Sequence, residues 1–394
     1  MFTQILLKNF KLYQDATSFD HLKKINLLTG INGRGKSTLL QALLLMKQSI
    51  MKNSRNTSLS LNGEYVNLGN AFDIKNIHVS RSVPTLMGFV VDGYTVSYHF
   101  AAEENRQNMD LITCEIIPAN RDSGPSFFFE RDNCRSMQNM LPVAEGIPSL
   151  NFDRIQYVSA ERIGPQLHYP LYDKDVTVGA KGEYTASQFY LHQADILSER
   201  YFEELDNMFE NLKMDDIDRT MGGQVEFWLS KMFSKTTIDT TYIEEANVVT
   251  LQISTVQNGS LRMKPTNVGF GYTYVLPILV AGLIGQPGDT LIIENPEAHL
   301  HPAAQSFVGR FLALITQLGV QVFVESHSEH ILNAFRVLIA QNILDKEDLN
   351  IMYFDDEYTQ YYRTIPVGEM GKISEWPSHF FDQAEKDLDI LLTD

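Results

Sequence analysis

The stretch "LLTGINGRGKSTLLQALLLMKQS", from Leu27 to Ser49, decides how the chain is organised. An apolar run leads into a glycine-rich turn, and a leucine-rich segment follows. Gly30, four further residues, Gly35, Lys36 and Ser37 fit the phosphate-loop (P-loop) pattern. In such a loop, backbone N–H groups and the amino terminus of the following helix point at an anion. The stretch therefore predicts a strand, a nucleotide-binding loop and a helix that begins near Lys36.

Composition limits the classes of protein that need to be considered. The chain has 394 residues, 44% of them apolar, and a net charge of −17. These values predict a folded globular protein and argue against a basic protein that coats nucleic acid, because such proteins neutralise phosphates with Lys and Arg. A local basic groove stays open as an alternative to an ordinary solvated face, since four lysines lie close to the amino terminus: Lys8, Lys11, Lys23 and Lys24.

Cysteine content and hydropathy predict a cytoplasmic protein. Cys114 and Cys134 allow at most one disulfide and offer no zinc-binding spacing, which fits a reducing compartment. The first residues, "MFTQILLKNFKLY", lack the apolar core of a signal peptide. The longest apolar run, "VLPILVAGLIG" from Val275, is too short to span a bilayer. We therefore expect no membrane partner.

The pattern of candidate strands and helices predicts an α/β fold in three parts. Residues 1–165 read as a first lobe with the P-loop and an antiparallel sheet, because short candidate strands alternate with Gly, Asn and Pro turns. Residues 166–240 read as a helical insertion. Residues 241–394 read as a second lobe in which helices and strands alternate, which favours a mainly parallel sheet.

Two later segments have the form of a buried strand that ends in polar residues. In "TLIIENPEAHLHP", Glu294 ends an apolar strand, and a carboxylate in that position favours a Mg²⁺-binding role over an ordinary strand end. In "VQVFVESHSEHIL", His327 follows a second apolar strand, which favours contact with the γ-phosphate over a structural role. Upstream, Gly269 and Gly271 open an apolar helix. They read either as a plain glycine turn or as a phosphate-binding surface for a nucleotide held by another copy.

Together these segments resemble the ABC-type ATPase heads of the SMC, RecF and OLD group. "ILLKNFKLYQD" with the P-loop looks like the group's opening, and "NVGFGYTYVLPIL" looks like a variant signature segment. "LIIENPEAHLHP" looks like the Walker B motif and D-loop, and "VESHSEHIL" like the switch-histidine strand. Three further segments resemble a compact bacterial branch with a carboxy-terminal domain of unknown function: "YVSAERIGPQ", "VGAKGEY" and "EWPSHFFDQ".

The resemblance implies an ABC-type P-loop ATPase head: a mixed sheet, an antiparallel β subdomain and an inserted helical subdomain, with ATP and Mg²⁺ as ligands. It assigns Ser37 and Glu294 to the metal, His327 to the switch position, and Gly269 and Gly271 to a nucleotide in trans. The loop residues assigned to ATP are Gly30, Asn32, Gly33, Arg34, Gly35, Lys36, Ser37 and Thr38.

Three positions depart from the group's pattern. Asn295 stands where many ABC ATPases carry the Glu that polarises the attacking water, and an amide cannot take a proton. Glu297 is a candidate substitute, and water positioning by Asn295 and His327 is the alternative. The signature lacks Ser-Gly-Gly, with Tyr272 and Thr273 after its glycines, and His301 occupies the D-loop position that often carries Asp.

The sequence leaves several functions open. The first hypothesis is a nucleotide-driven dimerisation switch that regulates a separately encoded nuclease or toxin in bacterial defence against phage. The alternatives are a RecF-like DNA-repair ATPase that contacts nucleic acid, a nucleotide-gated scaffold with little hydrolysis, and a transporter subunit. The carboxy-terminal segment has Phe380, Ala384, Leu388 and Leu391 at helical spacing. We expect this helix to pack on its own core rather than on a partner.

Overall fold

The computed structural model describes most of the chain in two compact units. The described residues are 1–51, 57–102, 109–119, 126–130, 137–138, 141–142, 150, 152–209, 212–255, 261–355 and 361–392. The first unit comprises Met1–Lys23, Gly30–Ile155 and Phe354–Arg363. The second comprises Lys24–Thr29, Gln156–Tyr353 and Thr364–Asp394. Each unit is thus assembled from segments that are distant in sequence.

Strands and helices alternate along the described ranges. The strands are β1 (Phe2–Lys8), β2 (Thr17–Phe19), β3 (Ile25–Gly30), β4 (Ser58–Leu59), β5 (Thr85–Val91), β6 (Tyr94–Ala102), β7 (Met109–Pro118), β8 (Phe127–Glu130), β9 (Met137–Gln138), β10 (Leu141–Pro142), β11 (Ile155–Val158), β12 (Tyr169–Pro170), β13 (Thr237–Ile243), β14 (Val248–Ser254), β15 (Thr290–Glu294), β16 (Gln321–Glu325), β17 (Leu349–Phe354) and β18 (Arg363–Ile365). The helices are α1 (Lys36–Met51), α2 (Ala71–Ile74), α3 (Thr185–His192), α4 (Glu199–Met208), α5 (Met221–Met232), α6 (Phe270–Ile284), α7 (Pro302–Gln317), α8 (Glu329–Ala340) and α9 (Gln383–Leu392).

The first unit is built on an antiparallel sheet. Its strand order is β2-β1-β5-β6-β7-β4, and β8 also pairs with β7. The side chains that point inward along these strands form an aromatic cluster, in which Phe152 lies 5.5 Å from Phe2 and 5.0 Å from Phe89 between ring centroids. Helix α1 belongs to the same unit and is apolar around most of its circumference, which is typical of a helix buried on several sides. The antiparallel sheet and the helix after the P-loop match the sequence prediction.

The second unit is built on a sheet with the order β11-β15-β16-β3-β17-β18. Strands β15 and β16 pair in parallel, and so do β16 and β3. These strands are almost entirely buried and read as continuous apolar runs, as parallel strands covered on both faces do. A separate antiparallel sheet has the order β12-β14-β13.

Helices α3, α4 and α5 belong to the second unit and lie within residues 166–240, where the sequence predicts inserted helices. Trp228 of α5 is fully buried, and its indole Nε1 donates a hydrogen bond to the Tyr201 hydroxyl at 2.9 Å. That hydroxyl donates in turn to Gln224 Oε1 at 3.0 Å. The chain of bonds satisfies three buried polar groups in an otherwise apolar core.

The mixed α/β class, the antiparallel sheet, the mainly parallel sheet and the inserted helices confirm the predicted fold class. The boundaries at residues 165 and 240 stay a prediction. Cys114 is buried, and Cys134 lies outside the described residues. In the parts of the chain that the structure describes, no helix combines the length and apolar character needed to cross a bilayer.

The carboxy-terminal helix differs from expectation. Phe380, just before α9, is buried and lies 5.2 Å from the Tyr353 ring. In contrast, Leu388 is 54% exposed and Leu391 is 77% exposed, so these two side chains are not packed on the core as predicted. The Ala384 side chain lies outside the described residues. Helical periodicity identified an amphipathic segment but carries no information about what that segment contacts.

The two tryptophans of the chain provide a matched test of the helical core. Trp228→Ala is expected to lower the free energy of unfolding by about 3–5 kcal/mol, because it leaves a cavity and removes the hydrogen bond to Tyr201. Trp376→Ala removes a side chain that is 47% exposed and should cost distinctly less. Urea unfolding measures both variants. Equal losses would contradict this description of the core.

Candidate functional site

The P-loop depends on three glycines with left-handed backbone. Gly30, Gly33 and Gly35 have φ values of +120°, +77° and +103°, a region that L side chains rarely adopt. A Cβ on Gly30 would lie 2.1 Å from the Phe354 carbonyl oxygen, which also accepts a hydrogen bond from Ile31 N at 2.8 Å. A Cβ on Gly33 would meet nothing within 4 Å. The loop therefore needs glycine at one end for close packing and leaves open space at its tip.

Lys36 lies within this loop. Its side chain is almost fully buried, and its ammonium donates to the carbonyl oxygens of Gly30 and Ile31, each at 2.9 Å. Ser37 and Thr38 follow in the first turn of α1 and are half-buried. The remaining predicted contacts occupy the same loop, with exposed Asn32 and Gly33 and half-buried Arg34. All the predicted phosphate-loop residues thus lie in one continuous turn of the first unit.

Tyr13 supports the loop from the side, and sequence reasoning missed it. The buried Tyr13 hydroxyl donates to the Gly35 carbonyl oxygen at 2.8 Å. A Cβ on Gly35 would lie 2.5 Å from that hydroxyl, so Gly35 needs to be small for this contact. The segment "NFKLY" marked the resemblance to the ATPase group, but nothing in it indicates that Tyr13 bonds to the P-loop.

In the second unit, parallel pairing brings Glu294 and the residues before His327 to one edge of the sheet. Glu294 of β15 is in register with Glu325 of β16, and Glu325 is in register with Leu28 of β3. Ser326 N continues the ladder by donating to the Leu28 carbonyl oxygen at 3.0 Å. The carboxyl ends of the three strands therefore lie side by side, and the P-loop follows β3 in the chain.

The Glu294 carboxylate is half-buried and held by the segment after β11. Ala160 N donates to Glu294 Oε2 at 3.4 Å, and Tyr157 forms a side-chain hydrogen bond with the same carboxylate. Burial raises the pKa of Glu294, although these hydrogen bonds and the charge of Arg162 oppose the shift. Burial, followed by the nearby Glu294 charge, also raises the pKa of Tyr157. A divalent cation at this carboxylate would offset the cost of its burial.

Asn295 has left-handed backbone with φ of 45°, a conformation that asparagine tolerates better than most residues. Its N–H donates to the Glu325 carbonyl oxygen at 2.8 Å. The turn therefore directs the chain away from the sheet just after Glu294, where Pro296 follows.

Glu297 is bonded to the switch-histidine loop. One carboxylate oxygen accepts from Ser326 Oγ at 2.8 Å, and the other accepts from His327 N at 2.7 Å. The structure thus brings Glu297 and His327 together through the His327 backbone, and the His327 side chain is exposed. Glu297 is an acceptor that orders this loop, a role that sequence reasoning did not assign to it.

The predicted signature segment begins α6, and the D-loop packs against it. Gly269 is the N-cap of α6, and both Gly269 and Phe270 are exposed. Gly271 approaches the D-loop so closely that a Cβ would lie 3.0 Å from the His299 carbonyl oxygen. His301 caps α7, because its Nδ1 accepts from Ala303 N at 3.3 Å. The histidine at the D-loop position therefore has a local structural role.

Comparison with protein families identifies three segments. An "AAA ATPase domain" matches residues 1–121, which include the P-loop. An "AAA domain, putative AbiEii toxin, Type IV TA system" matches residues 183–333, which include Glu294 and His327. A "Protein of unknown function (DUF3696)" matches residues 344–391. No curated protein matches the chain.

Two solved structures of SMC heads are similar over most of the chain. The SMC head domain from Thermotoga maritima has 14% identity and a TM-score of 0.40, with 93% of this chain and 99% of that chain covered. The SMC head bound to the C-winged helix domain of ScpA has 10% identity and a TM-score of 0.42, with 93% and 98% covered.

The P-loop geometry, the strand-end Glu294 and the two AAA matches define the chain as a P-loop protein of the AAA ATPase-domain class. Near its carboxyl end the chain also matches DUF3696, in agreement with the predicted carboxy-terminal domain of unknown function. The resemblance drawn from the sequence is confirmed at this level.

Gly30→Ala tests the close packing at the start of the P-loop. The substitution is expected to lower the free energy of unfolding by about 2–4 kcal/mol, because the new Cβ would collide with the Phe354 carbonyl in a strained backbone region. Gly33→Ala is the matched control, because Gly33 also has a positive φ but a Cβ at this position would meet nothing within 4 Å. Chemical denaturation measures both, and an equal effect of the two substitutions would contradict the predicted collision.

Glu297→Gln tests the carboxylate that orders the switch loop. A Gln side chain has one acceptor oxygen, so one of the two donors loses its partner and the free energy of unfolding should fall by about 1–3 kcal/mol. Ser326→Ala removes the bond to Glu297 together with the bond that Ser326 Oγ accepts from Ser328 N, so it should cost a comparable amount. Glu203→Gln, on the exposed side of α4, is the control for loss of charge. A Glu297→Gln variant as stable as that control would show that the two bonds contribute nothing.

Proposed function

We propose that the chain binds and hydrolyses ATP in the presence of Mg²⁺. The observation that carries this proposal is the Lys36 ammonium inside a turn of three left-handed glycines, directly before helix α1. A cation enclosed by a backbone loop at a helix amino terminus suits the β- and γ-phosphates of a nucleotide. The two AAA family matches support the same substrate class.

Each candidate residue has a distinct proposed role. The backbone of the loop from Gly30 to Gly35 receives the phosphates, and Lys36 pairs with them. The Ser37 hydroxyl and the Glu294 carboxylate are hard oxygen donors, which fit Mg²⁺. When bound, Mg²⁺ would neutralise charge on the phosphates during phosphoryl transfer.

Water activation is proposed to rely on positioning rather than on a strong base. The Asn295 side chain cannot take a proton, and both Glu297 oxygens already accept hydrogen bonds from the Ser326–His327 loop. We therefore assign Glu297 to ordering His327, and Asn295 and His327 to orienting the attacking water. Such an arrangement favours slow turnover.

Nucleotide binding is proposed to drive association of two copies. Exposed Gly269 at the start of α6 offers backbone N–H groups and the positive end of a helix dipole. Gly269 and Gly271 of one copy would contact the nucleotide held by another, and a ligand that binds the associated state better shifts the population toward it. A homodimer is the minimum assembly for this switch, and a larger oligomer is compatible with it.

The proposed biological role is regulation of a separate effector, a nuclease or toxin, in bacterial antiviral defence in the cytoplasm. The AbiEii toxin description of the model that matches residues 183–333 favours a toxin-related setting. A RecF-like repair ATPase that contacts nucleic acid is the second candidate, and it is favoured only by the resemblance to that group. A nucleotide-gated scaffold with little hydrolysis is the third, and Asn295 favours it.

Phosphate release by the purified chain tests the catalytic proposal. Lys36→Ala should reduce Mg²⁺-dependent release about 100-fold or more and should weaken ATP binding, because it removes the ammonium from the loop. Lys8→Ala, an exposed lysine of the first unit, is the matched control and should retain both. His327→Ala should reduce release while ATP binding persists.

The oligomeric state is measured in parallel with and without ATP. ATP-dependent dimers supported by wild type but not by Lys36→Ala are the expected result. ATP binding and assembly without phosphate release would refute hydrolysis and favour the scaffold alternative. Equal release by wild type and Lys36→Ala would refute the assignment of the P-loop.

A further inference from the structure

Arg162, in the loop after β11, is a buried cation that binds the backbone carbonyl groups of Glu294 and Asn295. Only 4% of the residue is exposed. Its Nη2 donates a hydrogen bond to the Glu294 carbonyl oxygen at 2.7 Å. Both Nη1 and Nη2 donate to the Asn295 carbonyl oxygen at 3.3 Å. These two carbonyls therefore converge on one guanidinium group, which has the fork geometry for two acceptors.

Burying this charge is costly, and the surroundings offset the cost only in part. Burial lowers the pKa of Arg162 to about 10, whereas the charges of Glu297 and Glu294 and the nearby Tyr274 act to raise it. The Tyr274 ring lies 5.7 Å from the guanidinium carbon, within reach of a cation–π interaction. Arg162 Nε is buried without a hydrogen-bond partner. An apolar side chain would fill this space at lower cost, so the guanidinium serves something other than packing.

The segment from Tyr157 to Arg162 binds both the side chain and the backbone of Glu294. Tyr157 and Ala160 bind the side-chain carboxylate, while Arg162 binds the residue's own carbonyl. Asn295 then turns through left-handed backbone, and its carbonyl returns to the same guanidinium. Arg162 therefore holds the backbone of the two residues that carry the Glu294 carboxylate and the Asn295 amide.

We propose that Arg162 is a positioning residue of the ATPase, which holds the Glu294–Asn295 turn so that the Glu294 carboxylate faces Mg²⁺. This proposal rests on the ATPase function proposed above. It is distinct from a charge effect, because it requires a fork that binds two carbonyls at once. A lysine in the same place keeps the positive charge, but it carries its N–H donors on one nitrogen instead of on the two separate Nη atoms of a planar fork.

Arg162→Met and Arg162→Lys separate the effect of the positive charge from the effect of the fork that binds two carbonyls. The primary measurement is the affinity for a fluorescent ATP analogue in EDTA and in Mg²⁺, and the second is kcat and KM for phosphate release. Arg162→Met should keep its affinity in EDTA within about 3-fold, lose most of the strengthening by Mg²⁺, and lose about 10- to 100-fold in kcat. The Arg162→Lys variant should have a Mg²⁺ response and a kcat that lie between those of Arg162→Met and wild type. Arg310→Met, a half-buried arginine on α7, is the matched control and should behave as wild type.

Thermal unfolding of every variant identifies a purely structural effect. If Arg162→Met does not fold, Arg162→Lys carries the test. Wild-type behaviour of Arg162→Lys in both the Mg²⁺ response and kcat would overturn the requirement for a fork. Equal weakening of analogue affinity in EDTA and in Mg²⁺ would overturn the positioning role. Absence of phosphate release in wild type would count against the proposed hydrolysis, and the Mg²⁺ response of analogue binding would still decide the role of Arg162.

Discussion

Parallel pairing of β3, β15 and β16 is the constraint on which the candidate site depends. In a parallel ladder the carboxyl ends of the strands lie at the same edge, so residues that follow different strands are brought together whatever their separation in sequence. The register of Glu294 with Glu325, and of Glu325 with Leu28, produces this alignment here. Within the second unit, Glu294 forms one of these strand ends, and the Ser326–His327 loop follows another.

The second constraint is conformational. The P-loop uses left-handed glycines to fold its carbonyls around the Lys36 ammonium, and the turn at Asn295 uses left-handed backbone to leave the sheet. Both are unfavourable for most residues and need support from neighbours. Tyr13 and the Phe354 carbonyl support the first, and Arg162 supports the second. The candidate site therefore consists of motif residues together with the side chains that hold their backbone.

Much of the fold could be predicted because its determinants are local. The apolar runs of β3, β15 and β16 and the turn chemistry around them identify strands, and the P-loop pattern identifies the helix that follows. The packing of α9 could not be predicted. Its periodicity shows an apolar face, but Leu388 and Leu391 are exposed, and only tertiary contacts decide whether such a face is covered.

The motif residues of the candidate site follow sequence patterns, and their binding roles stay a prediction, whereas the residues that support them follow no such pattern. Arg162 is 132 positions from the Glu294 carbonyl that it binds, and Tyr13 is 22 positions from Gly35. A buried arginine that binds main-chain carbonyls leaves no spacing pattern, because the carbonyls belong to residues of any type. The same reason conceals the role of Glu297, which binds a serine hydroxyl and a backbone N–H of the switch loop.

The most direct test of the central claim is a crystal structure with Mg²⁺ and a non-hydrolysable ATP analogue. The account predicts phosphates against the loop from Gly30 to Gly35, Lys36 Nζ bonded to them instead of to the Gly30 and Ile31 carbonyls, and Mg²⁺ bound by Ser37 and Glu294. An analogue bound elsewhere, with Lys36 still on its own loop carbonyls, would contradict the assignment of this chain as a P-loop ATPase that uses these residues.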